Sequence, residues 1–501
     1  MVALKRSVYT AATWIIPILW SSALLFFCVG MPSMFGAPIG THFIRQTDSL
    51  AFVVHFREFT AGLLSPGVLD LKIAPDSGAS AGEFPIFYWF IAWVERLLGP
   101  MPNAMRWLSG GSVIIAHASL IRTLSATWND RVSAYGLITL FSGSSILAFY
   151  GFNFLPDAAV YGMVVSGWSL ALPDMLKGRP TFSWASLILF VLAAAIKAPT
   201  AIHLIAWSVI LLVSRILKRG RPTALQVGGI VLGASLITAW HMYARWYNAA
   251  HGSNYFMTWA EPIWTMSTVE RGQVLDLIWN YWWTKYLHPS AWHLFIALMF
   301  ILLIRWGKVV WSMKLLLGLS MAGSAGFILL FFRKFADHDY YFITVLPTMI
   351  LIAVTAWRSL IDHAMHKWVR LGAKCVIGMV ALASLILART EVMRRTTAMP
   401  RDHARVAPYL ADIREAIRPL DLPLRSKIIV LGDSSANGAL TSIGRMGWTY
   451  PGYPVAQAPT VQALMERGAT HLLAIRQEVP HLTGTTLIEH GKDWSLWRLT
   501  R

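Results

Sequence analysis

Ten stretches of this chain are apolar over close to the roughly 20 residues that a helix needs to cross a hydrocarbon layer about 30 Å thick. They lie near 11–31, 106–121, 132–150, 158–173, 225–243, 291–304, 315–332, 342–357 and 371–388, with one longer run at 181–216. As a single helix that run would extend about 54 Å at 1.5 Å per residue. Lys197-Ala198-Pro199 interrupts it, so two helices joined by a tight hairpin fit better and the chain is expected to have eleven spans. Segment 86–99, after Glu83-Phe84-Pro85, is too short to span and is expected at the interface. Only 14% of residues are charged, against about 25% in soluble chains, so most of this one cannot face water. Lys5 and Arg6 precede the first apolar run as in a signal peptide, but no clear small-x-small site follows, and a retained helix is expected. Both cysteines, Cys28 and Cys375, fall inside apolar runs, so no disulfide framework is available.

The net charge of +18 would suit a nucleic-acid binder. Its distribution argues for topology instead. With the N-terminus in the cytoplasm and eleven spans, the cytoplasmic segments hold 17 basic residues against three acidic ones, Asp130, Asp174 and Asp362. Lys218, Arg219 and Arg221 are among those cations. The outer loops before residue 389 hold 11 basic and 12 acidic, and the tail from Arg389 holds 15 and 10. This is the bias that keeps positive loops inside. The cytoplasmic cations are spread over short segments, so no nucleic acid is expected as a partner, and the odd span count puts the tail outside.

The chain divides at about residue 390 into a membrane body (1–390, with a large outer loop at 32–105) and a soluble tail (391–501). In the tail, Lys427–Leu431, His471–Ile475 and Ser495–Leu499 read as strands and Val461–Arg467 as a helix, giving a small α/β domain. Gly432-Asp433-Ser434-Ser435 resembles the nucleophile block of GDS hydrolases. The later Asp-x-x-His pair that those enzymes need is missing, so a strand-ending turn is expected.

Ionisable residues at membrane depth are costly and therefore candidates for function. They crowd one face: Asp48 and Glu83 in the first outer loop, Asp157 opening the fourth span, Lys197 in the hairpin, and Arg333, Lys334, Asp337, His338 and Asp339 before the tenth span. Carboxylates can serve as a general base for a hydroxyl. Arg, Lys and His can hold a phosphate and stabilise charge as it leaves. The set suits transfer of a group from a lipid phosphate at the outer face of the membrane. Local readings compete. Asp157 after Pro156 could be a helix N-terminal acid beside the dipole, Lys197 could snorkel, and Trp282 and Trp283 suit an interface belt.

Several motifs resemble one family. Residues 42–59, HFIRQTDSLAFVVHFREF, resemble the Arg-Gln-x-Asp segment in the first periplasmic loop of bacterial family 39-like glycosyltransferases, relatives of protein O-mannosyltransferases and of aminoarabinose transferases that modify lipid A. Gly82-Glu83-Phe84-Pro85-Ile86-Phe87, Leu155-Pro156-Asp157, Ala195-Ile196-Lys197-Ala198-Pro199, His338-Asp339-Tyr340-Tyr341 and Arg445-Met446-Gly447-Trp448 follow in the family's order. Ser49 stands after Asp48 where protein mannosyltransferases have a second acid, which argues against a protein acceptor.

The resemblance implies a GT-C fold: an α-helical polytopic membrane protein with about eleven transmembrane helices, plus the small periplasmic α/β domain. It implies an inverting transferase in the bacterial inner membrane, moving a hexosyl or pentosyl group from a polyprenyl-phosphate donor to an envelope glycan or lipid, lipopolysaccharide included. By position Asp48 is the expected general base, and Glu83 orients the acceptor or Asp48. Lys197, Arg333, His338 and Tyr340 would contact the donor phosphate, with Arg45, Asp157 and Asp339 in support. Residues 48–64 are expected to form an amphipathic juxtamembrane helix carrying Leu50, Val53, Val54 and Phe56. No cofactor is required by the resemblance, and a divalent ion on Asp48, Glu83 and His338 stays open. A transporter or flippase of lipid-linked sugars is the competing reading, but transporters place ionisable residues near the midplane and often show paired repeats. An O-antigen ligase or polymerase shares the membrane class but not these motif positions.

Overall fold

The fold is described here from a computed structural model, which covers residues 2–30, 34–101, 103–217, 223–256, 260–361, 366–399, 401–451, 458–477, 479 and 484–500. Lys218, Arg219, Arg221 and Asp362 lie outside the described residues. Helix α1 (Val2–Val29) leads into the first loop with α2 (Phe43–Glu58) and α3 (Ile86–Leu98). Then come α4 (Ala104–Trp128), α5 (Arg131–Ser142), α6 (Ser145–Gly151), α7 (Asp157–Met175), α8 (Trp184–Ile196), α9 (Ala201–Ile216) and α10 (Ala224–Ala250). Next, α11 (Thr268–Leu277) runs through a π-helical turn into α12 (Trp283–Tyr286) and α13 (Pro289–Ile304). The body closes with α14 (Trp311–Leu330), α15 (Lys334–Asp337), α16 (Leu346–Ile361) and α17 (Lys367–Thr397).

Every apolar stretch of the sequence is helical, and the chain is a multi-pass membrane protein. Among the described residues, five helical segments are long and apolar enough to cross a membrane on length and composition alone: Ala198–Ile216, Ala224–Ala250, Trp311–Leu330, Asp339–Ile361 and Lys367–Thr397. Two bent pairs raise that to seven. Four of the eleven expected spans lie outside that set; among them α8 has 13 residues, and α4 contains Arg106, His117 and Arg122. Residues 132–150, which read as one span, bend by 78° between α5 and α6. At the break Ser144 Oγ donates to the Tyr286 carbonyl at 2.8 Å and Ser145 Oγ to that of Lys285, so side chains tie the bend to the neighbouring helix. Helix α4 packs between α1 and α7. At Gly162 on α7 a Cβ would come within 2.2 Å of Ser112 Oγ on α4, so a small residue sets this close approach.

The first loop differs from expectation. The helix anticipated over 48–64 begins at Phe43 and ends at Glu58, and it is not amphipathic in placement: Gln46, Thr47, Asp48 and Ser49 are as buried as Phe52, Val53, Val54 and Phe56. The reason is that α2 is covered from two sides, by α3 and by the C-terminal domain. Helix α3, by contrast, buries Phe87, Tyr88 and Ile91 and leaves Phe90, Trp93, Leu97 and Leu98 exposed, as suits a helix lying at the interface.

Helix α17 continues without a break to Thr397, so the C-terminal α/β region starts beyond it. That domain holds α18 (Arg401–Ala404), α19 (Leu410–Ile417), α20 (Gly438–Ile443), α21 (Ala458–Glu466) and a five-stranded sheet. The strands are β1 (Lys427–Leu431), β2 (Gly447–Tyr450), β3 (Ala469–Ile475), β4 (Thr485–His490) and β5 (Trp494–Leu499), in the order β2-β1-β3-β5-β4. The pairs β1–β2 and β1–β3 are parallel, while β5 pairs antiparallel with β3 and β4. Strands β2 and β4 were not read from the sequence; β2 is four residues long and β4 is an edge strand with a largely solvated pattern.

Edge strand β2 carries the contact that matters for the site. The Leu71 amide donates to the Gly447 carbonyl at 2.8 Å, and the Gly447 amide to the Leu69 carbonyl at 3.1 Å, so the first loop adds a short parallel bridge to the sheet. A Cβ at Gly447 would lie 1.8 Å from the Ile428 carbonyl oxygen, which explains the glycine of the Gly-Trp element. The two parts of the chain are thereby locked together.

Candidate active site

The first loop, the ends of the membrane helices and the C-terminal domain enclose a cavity of about 740 Å³. Its lining includes Arg45, Asp48, Glu83, Asp157, Lys197, His338 and Tyr340, seven residues singled out from sequence that lie up to nearly 300 positions apart. Helix α2 presents Arg45 and Asp48 three residues apart, on one face. Asp157 sits at the first turn of α7 after Pro156. Lys197 caps α8 in extended conformation where Pro199 breaks the helical run. Tyr340 lies on a 3-10 turn, Asp339–Thr344, ahead of α16.

Asp48 is 3% exposed. Its carboxylate accepts from Tyr255 Oη at 3.1 and 3.0 Å and from Asn437 Nδ2 at 2.8 Å. Burial pushes its pKa up to about 6, against the pull of Arg45 and these two donors. Burial and the neighbouring Asp48 also push the Tyr255 phenol up, which keeps it a donor. For Glu83, burial raises the pKa, but the adjacent Arg45 and Lys197 cations outweigh it and hold the group down at about 2. Glu83 also accepts from Tyr88 at 2.7 Å. Lys197 bridges Glu83 and Asp157, the latter at 3.2 Å. Asp48 and Glu83 therefore differ in kind: one is a carboxylate poised to take a proton, the other a fixed anion.

Asp339 stands behind the cavity wall. It is wholly buried and binds His42 Nε2 at 3.2 Å, Tyr150 Oη at 2.7 Å and the Arg395 guanidinium. His42, on the wall itself, stacks on His338 with ring centroids 6.0 Å apart. Burial, with His42, Lys334, Arg45 and Lys197 around it, pushes the His338 pKa down to about 3. Its ring is neutral at pH 7 and offers a hydrogen bond rather than a charge.

The structure does not bring Arg333 to the cavity. Its side chain is about half exposed and pairs with Glu270, while its neighbour Lys334 lines the cavity and pairs with Glu261 at 3.3 Å. The residues that sequence alone did not single out are His42, Tyr255, Lys334 (named in the loop but passed over for Arg333), Asn437 and His403. His42 opens the 42–59 stretch, three residues before Arg45 of the Arg-Gln-x-Asp segment; Tyr255 and Asn437 carry no local signal. Asp433 of the Gly-Asp-Ser-Ser block accepts from the Ser435 and Ala439 amides at 2.8 Å each, which is the work of a strand-ending turn. Ser434 Oγ lies 3.1 Å from His403 Nδ1, but that Asp433 carboxylate is spent on the turn. No group of three or more His, Cys, Asp or Glu among the described residues is arranged to hold a metal ion. Asp48 and Glu83 are bonded to other side chains, while the buried Nδ1 of His338 meets no hydrogen-bond partner.

No protein-family model and no curated protein sequence matches the chain. Its structure, however, superposes on solved ones over nearly its whole length. ArnT from Cupriavidus metallidurans in the apo state matches with a TM-score of 0.56 at 12% identity, covering 98% of each chain. The chain has the GT-C fold. The same ArnT bound to undecaprenyl phosphate matches at a TM-score of 0.52 and 12% identity, over 97% of each chain. A third GT-C match is the oligosaccharyltransferase AglB from Archaeoglobus fulgidus in complex with an inhibitory peptide and a dolichol-phosphate. It gives a TM-score of 0.51 at 9% identity, covering 94% of this chain and 70% of that one.

Proposed function

We propose that this protein is an inverting glycosyltransferase that moves a sugar from a polyprenyl-phosphate donor to a glycan or lipid of the cell envelope. The observation that carries the reading is Asp48: a buried carboxylate with a pKa near 6, in a cavity whose other charges are already paired. A base of that strength suits removal of a hydroxyl proton as the hydroxyl oxygen attacks the anomeric carbon. In the transfer, the acceptor oxygen forms its bond to that carbon on the face opposite the phosphate. The acceptor proton passes to Asp48, the carbon–oxygen bond to phosphate breaks, and the electron pair leaves with polyprenyl phosphate. A single displacement inverts the anomeric centre.

Arg45, Lys197 and Lys334 supply positive charge where the departing phosphate gains negative charge, and neutral His338 and Tyr340 supply hydrogen-bond donors. The apolar side of the cavity, with Ile196, Pro199, Ala244, Phe256, Phe327 and Phe331, fits the isoprenoid chain next to the phosphate. Two of the solved structures with this fold carry undecaprenyl phosphate or a dolichol-phosphate, which supports a donor of that class. The excess of cytoplasmic Lys and Arg supports an inner-membrane protein with the N-terminus inside and the C-terminal domain in the periplasm.

The test is transfer by the purified protein in liposomes, with polyprenyl-phosphate-linked sugars and envelope lipid or glycan extracts. Mass spectrometry should find acceptors heavier by one sugar and free polyprenyl phosphate in equal amount. Passage of the intact donor across the vesicle without any covalent change would instead establish a flippase.

A further inference from the structure

Asn437 is fully buried at the start of α20, in the C-terminal domain, and reaches Asp48 across 389 positions of sequence. Its amide has one orientation available. The Oδ1 atom accepts from the Leu69 amide at 3.0 Å and from the Asp70 amide at 3.2 Å, which leaves Nδ2 to donate to Asp48 Oδ1 at 2.8 Å. Those two amides belong to the strip of first loop that the backbone of Gly447 grips, so the mount of Asn437 is rigid on both sides. On its other side Asp48 meets Tyr255, whose single hydroxyl proton serves either oxygen at about equal distance.

We infer that Asn437 is a positioning residue for Asp48, and that through it the C-terminal domain completes the active site. The inference rests on Asp48 acting as base. With Oδ1 held by Asn437, Oδ2 is the oxygen left to receive the acceptor proton, and the carboxylate cannot rotate away from it. The other ionisable groups facing Asp48 are Arg45 on its own helix, Asp70 on the first loop, Tyr255 after α10, and Glu83 and Lys197 across the cavity. None of these reproduces the Asn437 contact, because none donates a hydrogen bond to Oδ1 from a fixed backbone mount.

The experiment uses the full-length protein in liposomes, with Asn437→Asp and Asn437→Ala. Asn437→Asp keeps the shape and both backbone acceptor contacts, so a merely structural role would survive it. It replaces the donor at Asp48 with a second carboxylate. The expected result is a fall in kcat of at least tenfold, with KM for donor and acceptor within about twofold, because substrates are not touched. The acidic limb of kcat/KM should move up by about one pH unit, since a lost donor and an added like charge both disfavour the ionised base. Asn437→Ala should show the same signs with a smaller shift. Thr449→Val, which removes a 3.0 Å bond to Asp70 in the same interface, should lower thermal stability and leave the limb in place. The inference is overturned if either folded Asn437 variant keeps the parent kcat and pH profile while Asp48→Asn is inactive. If Asp48→Asn is itself active, the base reading fails first, and the inference falls with it.

Discussion

Lys197 lies against Glu83, 114 positions earlier in the chain, and holds Asp157 on its other side. Both contacts are largely buried, at 14% exposure for Lys197 and Glu83 and 5% for Asp157. The lysine holds two carboxylates, and its third N–H is the one that can meet a phosphate oxygen. Replacing Lys197 by Met leaves Asp157 as a buried charge without its cation, at a cost of about 3 kcal/mol. Thermal unfolding in detergent should show a clear fall in midpoint, and binding of undecaprenyl phosphate should weaken.

Asp339 and Arg395 form the same kind of pair deeper in, with exposures of 0% and 1%. Removing one partner leaves an uncompensated buried charge, so Asp339→Asn and Arg395→Met should each cost about 3–5 kcal/mol. The double variant should cost less than the sum of the two. A double-mutant cycle by thermal unfolding measures that difference, and simple additivity would show that the two charges are not coupled.

Asp48 and Asp70 both have pKa values raised by burial to about 6, above the unfolded value of 3.8. Each folded carboxyl therefore holds its proton more tightly than the unfolded chain does. The stability this contributes is fully present below pH 3.8 and is lost as pH rises through about 6. For Asp48 the shift corresponds to roughly 3 kcal/mol. Glu83, held near 2, works in the opposite sense, but only at pH values below its ordinary 4.5. Between pH 5 and 7 the protein should become less stable with rising pH, while kcat/KM falls about tenfold per unit below pH 6. Opposed trends of melting midpoint and activity over this window are the signature; in Asp48→Asn the stability slope should shrink.

Arg333 and Lys334 are adjacent in sequence but not in role. Arg333 pairs with Glu270 at the surface, where an ion pair contributes little. Arg333→Ala should leave kcat/KM within about twofold of the parent. Lys334→Ala should raise the KM for donor several-fold, since its ammonium borders the cavity. Steady-state kinetics on the two variants distinguishes them.

Much of the fold was legible because long apolar runs have few alternatives to a membrane helix. The cluster of ionisable residues was legible for the same reason: a charge in such a setting stands out. The misreadings come from contacts that local pattern cannot show. An amphipathic helix was expected over 48–64, with Leu50, Val53, Val54 and Phe56 among polar neighbours; the C-terminal domain covers the polar side of α2. The run 132–150 hides a bend made by two serines bonded to carbonyls 140 positions or more away. Arg333 was carried over by position from the resemblance, and only the turn into α15 decides that Lys334 is the one facing inward. Asn437 and Tyr255 meet Asp48 over 389 and 207 positions, and nothing near them in sequence marks either one.

The most direct measurement is sugar transfer by Asp48→Asn in liposomes, beside binding of undecaprenyl phosphate to the same preparation. The substitution keeps the shape and removes only the ability to take a proton. Turnover should fall by about 100- to 10,000-fold, the usual range for loss of a general base, while the lipid phosphate binds within twofold of the parent. Turnover near the parent rate in a folded Asp48→Asn protein would contradict the assignment of Asp48 as the base.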